Sequence, residues 1–426
     1  MPILSFVRRR LFWIWLLMLL PFIGAGLVAG LMIFTQGLVV TNLSDLAPWG
    51  LWIVTDLSCI ALAAGAFSLS ALAHLAGRQE LKPLARVAVF IGLLGYTGAM
   101  LCLLLDIGRP ERFWHGWVYW NVHSMLWEVT MCITLYFLVL TLEVFPMVVE
   151  LPILARFKGL RALGHRIHRF APLLAVFGMA LSLLHQSSLG ATYGVVAGRA
   201  FLFRATMPLL FIVSAVAGGM AFTVQMTLIV QWLRRRVLVP REVLFQVGQV
   251  AGAILLVYLY MRFWDSTAGN YGYVPGRSEA DTLLTQGRNF ALPFWGWEIV
   301  LGGIVAATLM IVARARQSAT LLLLGCGLAM AGIVANRWNT TMLAFTLPLS
   351  TEPVLTIPAS VSYTPNLVEW AASIGIVAGL TMVFSLGIRF LPAFQGIPVP
   401  PRPSESGAPA ASTGPTEVPA PAGGDR

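Results

Sequence analysis

Ten stretches of this chain are apolar for long enough to cross a lipid bilayer, and no other feature restricts its fold as much. They run approximately over 11–34, 50–75, 86–106, 123–146, 170–191, 205–232, 243–263, 293–313, 319–336 and 367–391. About 20 apolar residues in a helix span the hydrocarbon core. Inside that core a backbone must satisfy its own hydrogen bonds, which leaves helices or a closed barrel. Runs this long predict an all-α fold: a polytopic membrane helical bundle of about ten transmembrane helices. With 58% hydrophobic and 11% charged residues, the 426-residue chain is too poor in polar surface for a soluble domain.

The net charge of +10 could suggest nucleic acid as a partner, but the basic residues sit in short loops between apolar runs, so the bilayer is the expected partner instead. Twenty of the 28 Lys and Arg fall on one side: Arg8 to Arg10, Arg78 to Arg86, Arg156 to Arg169, Arg234 to Arg241, Arg314, Arg316 and the C-terminal arginines. Positive loops stay inside, so both termini are expected in the cytoplasm and the chain in a bacterial inner membrane. The first run is long for a signal peptide and lacks a clear cleavage site, which predicts an uncleaved helix. Residues 1–395 read as the transmembrane domain. Residues 396–426, rich in Pro, Ala, Ser and Gly, read as a disordered cytoplasmic tail. Two longer outer segments, 264–292 and 338–366, read as irregular loops able to cover the outer face or dock a partner.

The four cysteines (Cys59, Cys102, Cys132 and Cys326) lie singly in apolar runs, without C-x-x-C spacing. They predict buried small hydrophobes, with neither a metal site nor an iron–sulfur cluster on this chain.

Asp56, Asp106, Glu128, His185, Glu298 and Arg337 interrupt apolar runs near the same, outer end. Each costs about 2.5–3.5 kcal/mol at the centre of a membrane helix, so such groups persist where they pair, line a cavity or do chemistry. Trp and Tyr are also dense there, including Trp49, Trp52, Trp127 and Tyr193. A polar level walled by aromatics suits a flat ring with two carbonyls, arriving from the membrane on a lipid tail. His185 is a candidate donor to one carbonyl and a proton shuttle, and Glu128 is a candidate proton relay. The structural alternatives are a hydrogen-bonded packing role for either residue, helix fixing by Asp56, pairing of Asp106 with Arg109 or Arg112, and pairing of Arg337 with an acid. Glu298 and Glu369 favour structural roles, and Glu143 with His74 could belong to a proton path.

These residues resemble the NrfD/PsrC superfamily, and within it the HybB-type membrane subunit of respiratory nickel–iron hydrogenases. The resemblance rests on Thr41-Asn42-Leu43, Pro48-Trp49-Gly50-Leu51-Trp52 with Asp56, Asp106-Ile107-Gly108-Arg109, and Asn121-Val122-His123-Ser124 with Trp127-Glu128. It continues through His185-Gln186-Ser187-Ser188-Leu189-Gly190, Phe294-Trp295 before Glu298, Arg337, and Glu369 with Ser373-Ile374-Gly375. It implies a haem-free subunit that binds a quinone (menaquinone or ubiquinone). Such a subunit passes electrons between the quinone pool and a periplasmic ferredoxin-like iron–sulfur subunit, alongside catalytic oxidoreductase subunits. The expected site is His185 and Glu128, with Asp56, Asp106, Arg337, His123 and Trp127 around the quinone. Two rival readings are a secondary transporter, disfavoured by the outer depth of the site and the lack of an internal repeat, and a b-type cytochrome, for which only His123 and His185 lie at compatible depth.

Overall fold

The computed structural model describes residues 2–196, 199, 201–272, 277–346, 363–394 and 397–398. Among them are ten helices long and apolar enough to cross a membrane: α1 Arg10–Gln36, α2 Leu51–His74, α3 Gln79–Asp106, α4 Met125–Val149 and α5 Ala171–Gly194, then α6 Met207–Arg234, α7 Arg241–Tyr271, α8 Leu292–Ala315, α9 Ala319–Leu343 and α10 Leu367–Phe390. The expectation of an all-α, multi-pass membrane bundle is met. The expected tail lies outside the described residues apart from Ile397–Pro398, which pairs antiparallel with Arg236–Val237.

Helices α2 to α5 pack as one four-helix group and α6 to α9 as a second, joined where α2 and α5 pack on α6 and where α2 touches α9; α1 pairs with α10, and α10 rests on α3 and α2. Small residues permit the central contact. The helical hydrogen bonding of α2 is interrupted at Ala64, where Gly65 faces Gly219 of α6. A Cβ on either glycine would collide with the other's backbone. Hydrocarbon gives little hydrophobic drive between helices, so close backbone packing of this kind supplies the attraction.

Two segments extend further than the apolar pattern suggests. Helix α7 continues past Arg262 and Asp265 to Tyr271, and Arg277–Gln286 is also helical, so much of the expected 264–292 loop is ordered helix. The helix that contains α9 runs from Ala319 to Thr346, past the polar run Asn336 to Thr341. Tyr273, Pro275 and Gly276 of the first loop, and Pro348, Pro353 and Pro358 of the second, lie outside the described residues. A further helix, Lys158–Arg169, precedes α5 on the arginine-rich face and carries its basic residues on one side.

Candidate functional site

The start of α2 is held from the far end of the chain. Asn366 and Glu369 form a reciprocal cap on α10: Asn366 Oδ1 accepts from the Glu369 N–H at 3.1 Å, and Glu369 Oε2 accepts from the Asn366 N–H at 2.7 Å. Glu369 Oε1 also accepts from the Tyr363 hydroxyl at 2.5 Å, and Tyr363 Oη accepts from the Leu51 N–H at 3.0 Å. A Cβ on Gly50 would lie 2.5 Å from that hydroxyl, so the clamp needs glycine there. Glu369 therefore positions α2. One residue beyond Leu51, the fully buried Trp52 donates its indole N–H to Asp106 Oδ1 at 2.7 Å, tying the start of α2 to the end of α3. The alternative pairing of Asp106 with Arg109 or Arg112 is absent among the described residues: neither forms an ion pair with it.

Asp56 lies one turn further along α2, buried and with no cation in ion-pair range among the described residues. Its Oδ1 lacks a hydrogen-bond partner there. His185 of α5 is 0% exposed, and both of its ring nitrogens are likewise without a partner. Between these helices stands Tyr96 of α3, whose ring centroid is 5.4 Å from that of His185 and 4.7 Å, edge-on, from that of Tyr136 of α4. The Tyr96 hydroxyl lies beside Ser182 and Gln186 but makes no well-aligned hydrogen bond with either. Gln186, beside His185, donates to the Ile60 carbonyl at 3.3 Å and locks α5 against α2. A buried polar atom left unpaired costs about 1–3 kcal/mol. His185 and Asp56 together leave donors and acceptors here that the packing of the described residues does not use.

Glu128 lies half-buried in the first turn of α4, where its Oε1 accepts from Ser188 Oγ at 2.7 Å, one turn from His185 on α5. Trp127 donates from its indole to the Gly116 carbonyl at 3.0 Å and lies against Trp120, 5.4 Å between centroids. His123 is exposed, its backbone N–H bonded to Asn121 Oδ1. Thus Trp127 fastens the α3–α4 connection, and His123 lies at the surface while His185 lies in the interior. Towards the other face, Glu143 accepts from Ser70 Oγ at 3.3 Å and His74 meets the Ser70 carbonyl at 3.0 Å.

Arg337 belongs to a second network. It is 1% exposed and sits 3.9 Å over the Phe211 ring, donating to Ser214 Oγ at 2.9 Å and Asn336 Oδ1 at 3.1 Å. The expected direct acid partner is absent among the described residues; Glu298 is instead reached through Asn336, whose amide, with that of Asn339, donates to its carboxylate at 2.9 Å. Glu298 pairs with Arg262 at 3.6 Å, and Asp265 gathers Arg204 at 2.7 Å, Arg262 at 3.3 Å and Arg277 at 3.3 Å. In the sequence these three arginines read only as outer-side charge and Asp265 does not stand out; the i,i+3 spacing of Arg262 and Asp265 is the one local signal of the network. Outside the membrane spans, burial pushes the Asp281 carboxyl up, against the pull of Arg262, Arg204 and Arg277. Tyr193 stands between the two networks, with its ring 5.0 Å from Trp49 and 5.8 Å from Phe211 and its hydroxyl 3.2 Å from Thr341 Oγ1.

Curated relatives share this length of chain. The integral membrane subunit of a menaquinone reductase from Nitratidesulfovibrio vulgaris is 39% identical over 90% of this chain and 92% of its own. The integral membrane subunit of an Hdr-like menaquinol oxidoreductase from Archaeoglobus fulgidus is 25% identical over 82% of this chain and 85% of its own. A probable Ni/Fe-hydrogenase 2 b-type cytochrome subunit of Escherichia coli is 24% identical over 83% of this chain and 85% of its own. The family model described as "Polysulphide reductase, NrfD" matches residues 39–345, which contain both networks. The chain is a member of the NrfD family of integral membrane subunits.

Proposed function

We propose that this chain is the quinone-reactive membrane subunit of a multi-subunit oxidoreductase, with its site at the His185, Asp56 and Tyr96 cluster. The observation that carries this reading is the fully buried His185, with both ring nitrogens unpartnered among aromatic walls. The cluster fits a quinone, menaquinone or ubiquinone: an imidazole N–H to meet a carbonyl oxygen, a carboxylate oxygen free on the opposing helix, and apolar rings to hold a flat head group. The bound quinone would supply the redox chemistry. His185 would hold a carbonyl oxygen and move a proton at it. Asp56 would hold a second proton, and Glu128 with Ser188 would pass protons towards the surface. Trp52 with Asp106 would fix the α2 wall, Arg337 would add positive potential from beyond Tyr193, and Trp127 and His123 would lie on the surface side of Glu128, around the quinone. Support for the substrate comes from relatives named for menaquinone and menaquinol chemistry.

Electrons would pass between this site and a periplasmic ferredoxin-like iron–sulfur subunit, with catalytic subunits beyond it. The placement is an inner membrane with both termini in the cytoplasm, supported by the crowding of basic residues on one face, and 1–395 would form the transmembrane domain. A C-terminal tag should be protected from protease in intact spheroplasts; digestion there would invert the orientation. The purified subunit should lack the α-band of b haem. The decisive experiment compares His185→Ala and Glu128→Gln in the assembled complex: quinone-dependent turnover should fall about 100-fold or more. Full quinone-linked activity in both variants would reject the assignment.

A further inference from the structure

We propose that a cavity on the arginine-rich face, independent of the His185 cluster, binds the phosphate headgroup of an anionic phospholipid. The cavity has a volume of about 530 Å³ and opens between α3, α4, the start of α5 and the helix Lys158–Arg169. Lys82, Arg86, Arg161 and Arg169 line it, and none of the four takes part in an ion pair among the described residues. Two of them reach the same point: burial, with Arg86, His74 and Lys82 nearby, holds the His168 imidazole below its usual range, against the opposite pull of Glu150. The two carboxylates on the wall, Glu143 and Glu150, do not balance four permanent cations.

The rest of the lining selects the ligand class. Val89, Leu142, Met147 and Leu174 add apolar wall to the same cavity, as an amphiphile requires. Among the described residues, no Phe, Tyr or Trp lines the cavity; its rings are the imidazoles of His74, His165 and His168. A basic pocket between transmembrane helices at the membrane surface is a recurrent form of anionic headgroup site. Lys158–Arg169, basic along one side and flanked by the ends of α4 and α5, can lie in the interfacial plane and close the pocket laterally. A free phosphate would meet the same cations but gain nothing from the apolar wall.

The test titrates the full chain, purified in its complex and stripped of lipid, with phosphatidylglycerol, phosphatidylcholine and inorganic phosphate, reading bound lipid by native mass spectrometry. Phosphatidylglycerol should bind about tenfold more tightly than phosphatidylcholine, and Arg86→Gln combined with Arg161→Gln should weaken it about 25-fold, roughly fivefold per cation. Arg314→Gln combined with Arg316→Gln removes the same charge from the same face away from the cavity and should leave the affinity nearly unchanged. Equal losses in both double variants would reduce the effect to general surface charge and overturn the site. Equal binding of the two lipids by the unmodified protein would overturn it without recourse to any variant. Displacement of the lipid by inorganic phosphate at the same concentration would replace the lipid by a free anion and overturn the proposal.

Discussion

The α2–α5 bundle and the α6–α9 bundle both bury ionisable groups towards the same end of the molecule, but they neutralise them differently. In the second bundle, Arg204, Arg262 and Arg277 face Asp265 and Glu298 at 2.7–3.6 Å, and Arg337 is held by Ser214, Asn336 and the Phe211 face. In the first, Asp56 has no cation in range and His185 no hydrogen-bond partner among the described residues. Matched charges satisfy one another and hold helices in place; an unmatched carboxylate and imidazole leave bonding capacity for a visitor. The difference separates a structural network from a candidate site.

The largest effect should come from breaking the matched side. Asp265→Ala would strand the buried Arg204 and Arg277 and leave Arg262 with Glu298 alone, and removing one partner of a buried ion pair costs about 3–5 kcal/mol. Thermal denaturation of the purified complex should show it as a marked loss of stability. If Asp265→Ala instead spared stability and abolished quinone-linked turnover, the two regions would have exchanged roles. His185→Ala comes next, with an about 100-fold loss of turnover in a complex that still assembles. Glu369→Gln weakens the clamp on α2 by about 1–3 kcal/mol, measurable as a lower melting temperature with a secondary loss of turnover. Ser188→Ala, which removes one hydrogen bond from Glu128, should cost about 1 kcal/mol and slow turnover only a few-fold; an effect as large as that of His185→Ala would make Ser188 itself a principal group.

The ten spans were legible because hydrocarbon leaves few alternatives to a long apolar helix. Their ends were less so. The apolar pattern stops near Arg262 and Asp265, yet α7 continues because those charges pair inside the bundle. Similarly, Asn336 and Asn339 looked like the close of α9, but their amides are bonded to Glu298 and the helix runs on. His185, Glu128 and Asp56 could be singled out because charge and apolarity conflict locally. Tyr96, Tyr136 and Gln186 could not, since residues of these types are ordinary in membrane helices and acquire meaning only from neighbours on other elements. A structural role for Glu369 was legible, but its partners were not: they are Asn42, Tyr363 and, through Tyr363, Leu51.

That clamp bears on how the protein is made. The hydrogen bonds that fix the entry of α2 come from Tyr363 and, through it, from Glu369, so the clamp is incomplete until α10 has left the ribosome and entered the bilayer. During synthesis the early helices must wait with an unanchored edge. A chain released before α10 would carry every candidate catalytic side chain named above and still lack the brace that sets the first of them in register.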